Sequence, residues 1–151
     1  MTPNNRPSER AAVVAVIDPD AYSASTVTSD WVDAAKFASY LAIITAGDLG
    51  ASATLDAKIQ QATDGSGTGA KDLSGAAITQ LTKAGTDDNK QALINFKAED
   101  LDINNGFTHL RLSMTIGTAS SDAGALLLGF DPRFAPASDN DASTVDEIVS
   151  V

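Results

Sequence analysis

The sequence predicts an all-β protein: an antiparallel β-sandwich, jelly-roll-like, of about eight strands with extended N- and C-terminal arms. Three observations predict it. Ala51, Ala53, Leu55, Ala57 and Ile59 alternate with Ser52, Thr54, Asp56, Lys58 and Gln60, and Leu110, Leu112, Met114 and Ile116 alternate with His109, Arg111, Ser113 and Thr115. A period of two puts one set on a buried face and the other in water, the signature of a half-buried antiparallel strand. Turn-forming clusters, such as Gly47-Asp48-Leu49-Gly50 and Asn104-Asn105-Gly106, recur between the apolar runs and supply residues that tolerate positive φ or cap their own backbone.

Residues 1–10 are polar and hold Pro3 and Pro7, so they read as an N-terminal arm. Residues 11–17 are a short apolar run leading into Asp18-Pro19, a strand followed by a turn rather than a signal peptide. Residues 25–32 suggest a second strand. Residues 29–37 offer a helical rival capped by Ser29 or Asp30, but Asp33 to Lys36 reads equally well as a bend between strands. Residues 40–46 are apolar enough for a central strand, 51–61 alternate, 76–81 suggest a strand, and 92–97 alternate Ala92, Ile94 and Phe96 with Leu93, Asn95 and Lys97. Residues 107–116 and 123–130 complete a body spanning 11–130. Residues 131–151 carry five acidic side chains and few apolar ones before Val145, a C-terminal arm in which Val145, Ile148 and Val149 stand at helical spacing after a possible cap at Ser143.

The chain of 151 residues can bury a core of its own. It has no cysteine, so disulfides and thiolate chemistry are excluded. Ten basic residues against 20 acidic ones give a net charge of -10, which repels nucleic-acid phosphates and anionic membranes. No apolar run reaches the length of a membrane-spanning helix.

Catalytic chemistry finds little purchase. His109 is the single histidine, it falls on the polar side of its strand, and no Gly-x-Ser-x-Gly elbow accompanies it. Zinc ligands at short spacing are lacking. Asp18 with Asp20, Asp87 with Asp88, Asp100 with Asp102 and Asp139 with Asp141 pair acids in loops. None has the Gly and closing Glu of an EF-hand, so solvated turns explain them better than calcium. Eight aromatic residues are too few to line a carbohydrate cleft around a carboxylate pair. Gly65-Ser66-Gly67-Thr68-Gly69 lacks the Lys of a phosphate loop and reads as a hairpin connection. The aromatics fall in or beside strands as core, with Trp31 at a strand end as a candidate interface anchor. The sequence therefore points to a non-enzymatic binding module without cofactor or metal.

Several segments carry a resemblance. They are Trp31-Val32-Asp33 followed by residues 37–44, residues 53–65 with their Lys58, Gln60 and Asp64-Gly65, residues 71–76, residues 107–112, and the tail from Asp131-Pro132-Arg133-Phe134 to Asp139. Together they resemble a family of small tailed-bacteriophage virion proteins, the head decoration or cement proteins. The chain departs from that pattern at Ala70-Lys71-Asp72, where an aromatic is expected, and in a longer loop over 82–90. The resemblance implies a structural virion protein that binds and stabilises the outer surface of a phage capsid after assembly in the host cytoplasm. It implies as partners the major capsid protein and neighbouring copies of the chain, in a homo-oligomer for which a trimer is the family's habit, with no nucleic acid and no membrane. Flexible arms suit such work, since many weak contacts add on a lattice. The expected contacts are Pro3, Arg6, Pro7 and Arg10 in one arm, Arg133, Phe134, Pro136, Val145, Ile148 and Val149 in the other, and Trp31. The rival readings are another phage tail, fibre or head-completion protein, a non-viral carbohydrate-binding sandwich, and a hydrolase with an unfamiliar site.

Overall fold

A computed structural model describes residues 4–151. Its elements are a single helical turn α1 (Pro7–Arg10) and ten strands among the described residues: β1 (Ala11–Tyr22), β2 (Ser25–Thr28), β3 (Val32–Asp33), β4 (Phe37–Ala46), β5 (Thr54–Ala62), β6 (Lys71–Ala77), β7 (Leu81–Thr82), β8 (Gln91–Lys97), β9 (His109–Gly117) and β10 (Ser121–Pro132). Short 3-10 turns lie at Ala34–Lys36, Ala98–Asp100, Ile103–Asn105 and Ala137–Asn140.

The strands make two antiparallel sheets, one in the order β1-β10-β4-β8 and the other β2-β9-β5-β6, with the two-residue β3 and β7 added beside β9 and β5. The long strands pair as nested partners: β1 with β10, β2 with β9, β4 with β8 and β5 with β6. That is one long hairpin rolled up on itself, the jelly-roll connection of a β-sandwich. The alternating side chains supply its interior. Leu55 and Ile59 of β5, Leu110, Leu112, Met114 and Ile116 of β9, Ile44 of β4 and Leu127 of β10 are all at most 1% exposed. Tyr40 packs edge-on to Phe37 and stacks on Phe96, and its hydroxyl donates to Ala34 O, which satisfies the polar end of a buried ring. Burial pushes that phenol's pKa up.

Local chemistry shifts several boundaries from the sequence expectation. The strand expected to end before Asp18-Pro19 continues to Tyr22, because two register shifts, at Val13/Ala15 and Ile17/Asp20, let it bulge past the proline. Gly124 makes room there, since a Cβ on it would lie 3.0 Å from Pro19 Cα. Residues 25–32 split into β2 and β3, and 76–81 divides between the end of β6 and β7, so the strands number ten rather than eight. Within β6, Gly75 has a φ of +79° and breaks the strand's apolar pattern. Residues 29–37 make no α-helix. They form a bend with one 3-10 turn, in which Asp33 Oδ1 accepts the Ala35 N–H at 2.9 Å. The 51–61 strand starts only at Thr54, after a turn in which Ser52 has positive φ.

Candidate functional site

Two outer faces of this sandwich are available to a partner, and they are built from opposite materials. On the six-stranded sheet the outward side chains of β5 and β9 are polar and bind one another. Asp72 takes Lys58 Nζ at 3.0 Å and Gln60 Nε2 at 3.2 Å, and the ammonium holds its carboxyl below the usual range. Gln60 Oε1 accepts Arg111 Nε at 3.0 Å, and the Arg111 guanidinium lies 4.4 Å over the Trp31 ring. Further along, Gln80 Nε2 donates to Asp56 Oδ2 at 2.8 Å, and Thr26 and Thr115 hydroxyls meet at 2.8 Å. The polar side chains of this face thus bond one another across the strands.

The outer face of the four-stranded sheet is apolar. Cross-strand register sets Val16 opposite Leu126, Leu126 opposite Ile43 and Ile43 opposite Leu93 in one row. In the next row it sets Val13 opposite Leu128 and Leu128 opposite Leu41. Their neighbours along each strand, such as Ala42, Ile44 and Leu127, point inward and are wholly buried. The outward set is accessible instead: Leu93 is 58% exposed, Leu126 is 38% exposed, and Val13, Val16, Leu41, Ile43 and Leu128 are half-buried. Pro19 covers Gly124 at one end of the sheet. At the other end Pro7, Arg10, Ser39 and Phe130 line an open hollow. Contiguous exposed apolar surface of this kind marks an interaction site more often than an accident.

Some of the terminal residues expected as contacts, Pro7 and Arg10 among them, lie at that second end. α1 packs against the 3-10 turn at Ala137–Asn140. Arg6 and Pro7 are exposed and Arg10 is half-buried, while Pro3 lies outside the described residues. The C-terminal segment is fastened to the body. Arg133 N–H donates to Lys36 O at 2.9 Å, and Ala137 is fully buried after a half-buried Pro136. Asp141 Oδ1 accepts the Val13 N–H at 2.8 Å, and Ala142 N–H donates to Val13 O at 2.7 Å. Phe134, by contrast, is 78% exposed. No helix forms over 143–149, because the four residues from Ala142 to Val145 close only one turn bond, Val145 N–H to Ala142 O at 3.0 Å. Ile148 and Val149 are exposed, and Val145 is half-buried. Trp31 lines a hollow with Val14, Val16 and the C-terminal residues Ala142, Ser143 and Thr144; Arg111 lies over its ring, and Gly67 lies so close that a Cβ there would reach to 2.6 Å from Nε1.

The other sequence candidates have structural partners. His109 Nδ1 lies 2.9 Å from Thr108 Oγ1 and sits half-buried on the polar face. Asp87 and Asp88 accept the Thr82 and Leu49 N–H groups and pair with Lys90 and Lys83. Asp102 takes Lys71, and Asp100 takes the Lys97 N–H. Asp64 accepts from Ser66 and Thr68 N–H and so shapes the glycine-rich hairpin. Among the described residues no three His, Cys, Asp or Glu side chains gather as a metal site, and no helix is long and apolar enough to cross a membrane.

No protein-family model matches the chain, and no curated protein matches it. Solved structures match in fold. A chain of infectious bursal disease virus, Gx strain, is 16% identical with a TM-score of 0.44, over 87% of this chain and 34% of that one. Naturally occurring empty particles of cowpea mosaic virus give 11% identity and 0.44, over 86% and 88%. Triatoma virus gives 8% and 0.44, over 87% and 68%. This chain thus spans about a third of the infectious bursal disease virus chain it matches.

Proposed function

We propose that the chain is a non-enzymatic structural protein of a tailed-phage particle, a decoration protein that docks on the capsid exterior through the apolar outer face of its four-stranded sheet. The uncovered rows from Val16 to Leu93 and from Val13 to Leu41 carry this reading. Burying such a face returns roughly 25 cal/mol for each Å² removed from water, and a repeating lattice multiplies a modest contact. The resemblance of residues 31–44, 53–65, 107–112 and 131–139 to decoration proteins supports the particle as the partner. Residues 1–10 and 131–151 act as arms at the rim of this face, where Arg6, Pro7, Arg133 and Phe134 meet the capsid or a neighbouring copy. The polar face looks outward and, with the net charge of -10, keeps decorated particles apart in solution.

The test is sedimentation of the purified chain with capsids isolated from its source. The wild type should pellet with the particles at a stoichiometry of hundreds of copies, and the double variant Ile43→Glu, Leu126→Glu should stay in the supernatant while remaining folded. A ring's worth of copies would favour a tail or head-completion position instead. Equal pelleting by the wild type and the double variant would remove the apolar face from the account.

A further inference from the structure

A β-sandwich has four sheet edges, and unpaired edges are sites at which another chain adds a strand unless something blocks them. Three edges here are blocked. β1 is bulged and clasped by Asp141 and Ala142. β2 is four residues long. β6 contains Gly75 at positive φ and a register shift against β5. The fourth edge, β8, has no bulge, clasp or glycine, and lysines stand only at its two ends, Lys90 just before it and Lys97 as its last residue. It runs in unbroken register with β4 from Thr45↔Gln91 to Ser39↔Lys97, with neither Gly nor Pro.

Which groups of β8 are open follows from its ladder. Ala46 N–H donates to Lys90 O at 2.9 Å, so Lys90 and, by alternation, Ala92, Ile94 and Phe96 turn their amides toward β4. The N–H and C=O groups of Gln91, Leu93 and Asn95 then point away from the sheet. Asp100 Oδ2 takes the Lys97 N–H at 2.7 Å and closes that end.

We propose that this edge is a self-association site: two copies of the chain pair β8 with β8, antiparallel, and fuse their four-stranded sheets into one. The edge is complementary to itself, which selects a second copy as the occupant. Lys90 and Lys97 are ion-paired within the chain, to Asp87 at 3.1 Å and Glu99 at 3.8 Å, which offsets their charge, and the exposed Leu93 stands at the centre of the open amides. The outward amides fix the register. Leu93 lies opposite Leu93 of the second copy and Gln91 opposite its Asn95, which makes three bonded pairs and about six backbone hydrogen bonds. The 58% exposure of Leu93 is lost in that pairing, and the apolar row from Val16 to Leu93 continues across both copies. The contact is isologous, and with β1 clasped it stops at two.

This inference does not depend on attachment to a particle, and its test uses the chain alone. Sedimentation velocity from about 1 µM to about 500 µM should show the mass rising from 15.5 kDa toward twice that value. Asn95→Pro removes an outward N–H while sparing the bonds to β4, and Leu93→Lys sets like charges face to face. Each should weaken the dimer at least about tenfold. Leu126→Glu, on the same face but away from the edge, should leave it intact. In the wild type, the Leu93 and Asn95 amides should exchange more slowly with deuterium as concentration rises. A chain monomeric throughout, a dimer that survives both β8 variants, a dimer lost in Leu126→Glu, or amide exchange at Leu93 and Asn95 independent of concentration would each overturn the proposal.

Discussion

The two outer faces come from strands that share one sandwich and one core, yet they meet solvent in opposite ways. On β5 and β9 the outward positions are Lys58, Gln60, Arg111 and Thr115, tied into a network with Asp72, Trp31 and Thr26. On β4 and β10 they include Leu41, Ile43, Leu126 and Leu128, flanked at the ends of β4 by Ser39, which bonds Asp131, and Thr45, which bonds Gly124 O. Folding explains both inner faces, because each must close the same interior. It accounts for the outer face only in part, because Leu41, Ile43 and Leu128 are half-buried by their cross-strand neighbours while Leu93 and Leu126 stay exposed and open the molecule to association. The difference separates the surface that the sandwich needs in order to close from the surface it leaves open.

Adjacent residues of β10 give the sharpest way to test that separation. Leu127 is fully buried and Leu126 is 38% exposed on the other side of the same strand. Leu127→Ala should cost about 2–5 kcal/mol of unfolding free energy in urea titration, whereas Leu126→Ala should cost under about 1 kcal/mol. Equal losses would mean that the outer face is part of the core after all.

The polar face should respond instead to damage at its anchor. Gly67 has a φ of +85° and lies against Trp31, so Gly67→Ala brings both backbone strain and a clash and should cost about 1–3 kcal/mol by the same titration. Loss of the near-ultraviolet circular-dichroism signal of Trp31 would accompany it.

A hydrophobic dye distinguishes the faces directly. The native chain should enhance anilinonaphthalene sulfonate fluorescence. Ile43→Glu with Leu126→Glu should abolish that enhancement, and Lys58→Ser on the other sheet should leave it unchanged. Dye binding that follows Lys58 rather than Leu126 would reverse the assignment of the two faces.

The smallest expected effect is on pH. Asp72 is held below the ordinary carboxylate range chiefly by its bond from Lys58, Asp88 by Lys83, Asp102 by Lys71, Asp64 by Thr68 and Asp87 by the Thr82 N–H. A carboxyl lowered in the folded state contributes stability that is fully present above its unfolded value. That stability is lost as pH falls through the folded one. The unfolding midpoint should therefore be flat from pH 7 to about pH 5 and decline below about pH 4. Asp72→Asn should lessen the decline without touching dye binding.

The alternating strands were legible because their two faces differ: Leu55, Ala57 and Ile59 against Asp56, Lys58 and Gln60 state a register by themselves. The turn at Asp64 was legible for the same local reason. The apolar outer face was written less directly. In residues 40–46 and 123–130 both parities are apolar, so the runs resemble strands buried on both sides. A two-layer sandwich, however, gives each sheet only one inner face. A run apolar at both parities with no helices to cover it is the signal that would have exposed this face from sequence. The clasp of Asp141 and Ala142 on Val13 had no such signal, because it rests on an Asp141 carboxylate and an Ala142 amide reaching a residue at least 128 positions away in sequence. Likewise, Gly75 hid β6 by interrupting its pattern.

That clasp has a consequence for assembly. A chain cut before Asp141 would keep its core strands but uncover the β1 edge, so each molecule would offer two sticky borders in place of one. Head-to-tail growth then has no terminus, and a discrete pair becomes a ribbon. If β8 pairs as we propose, the hold of Asp141 and Ala142 on Val13 helps confine that pairing to two copies.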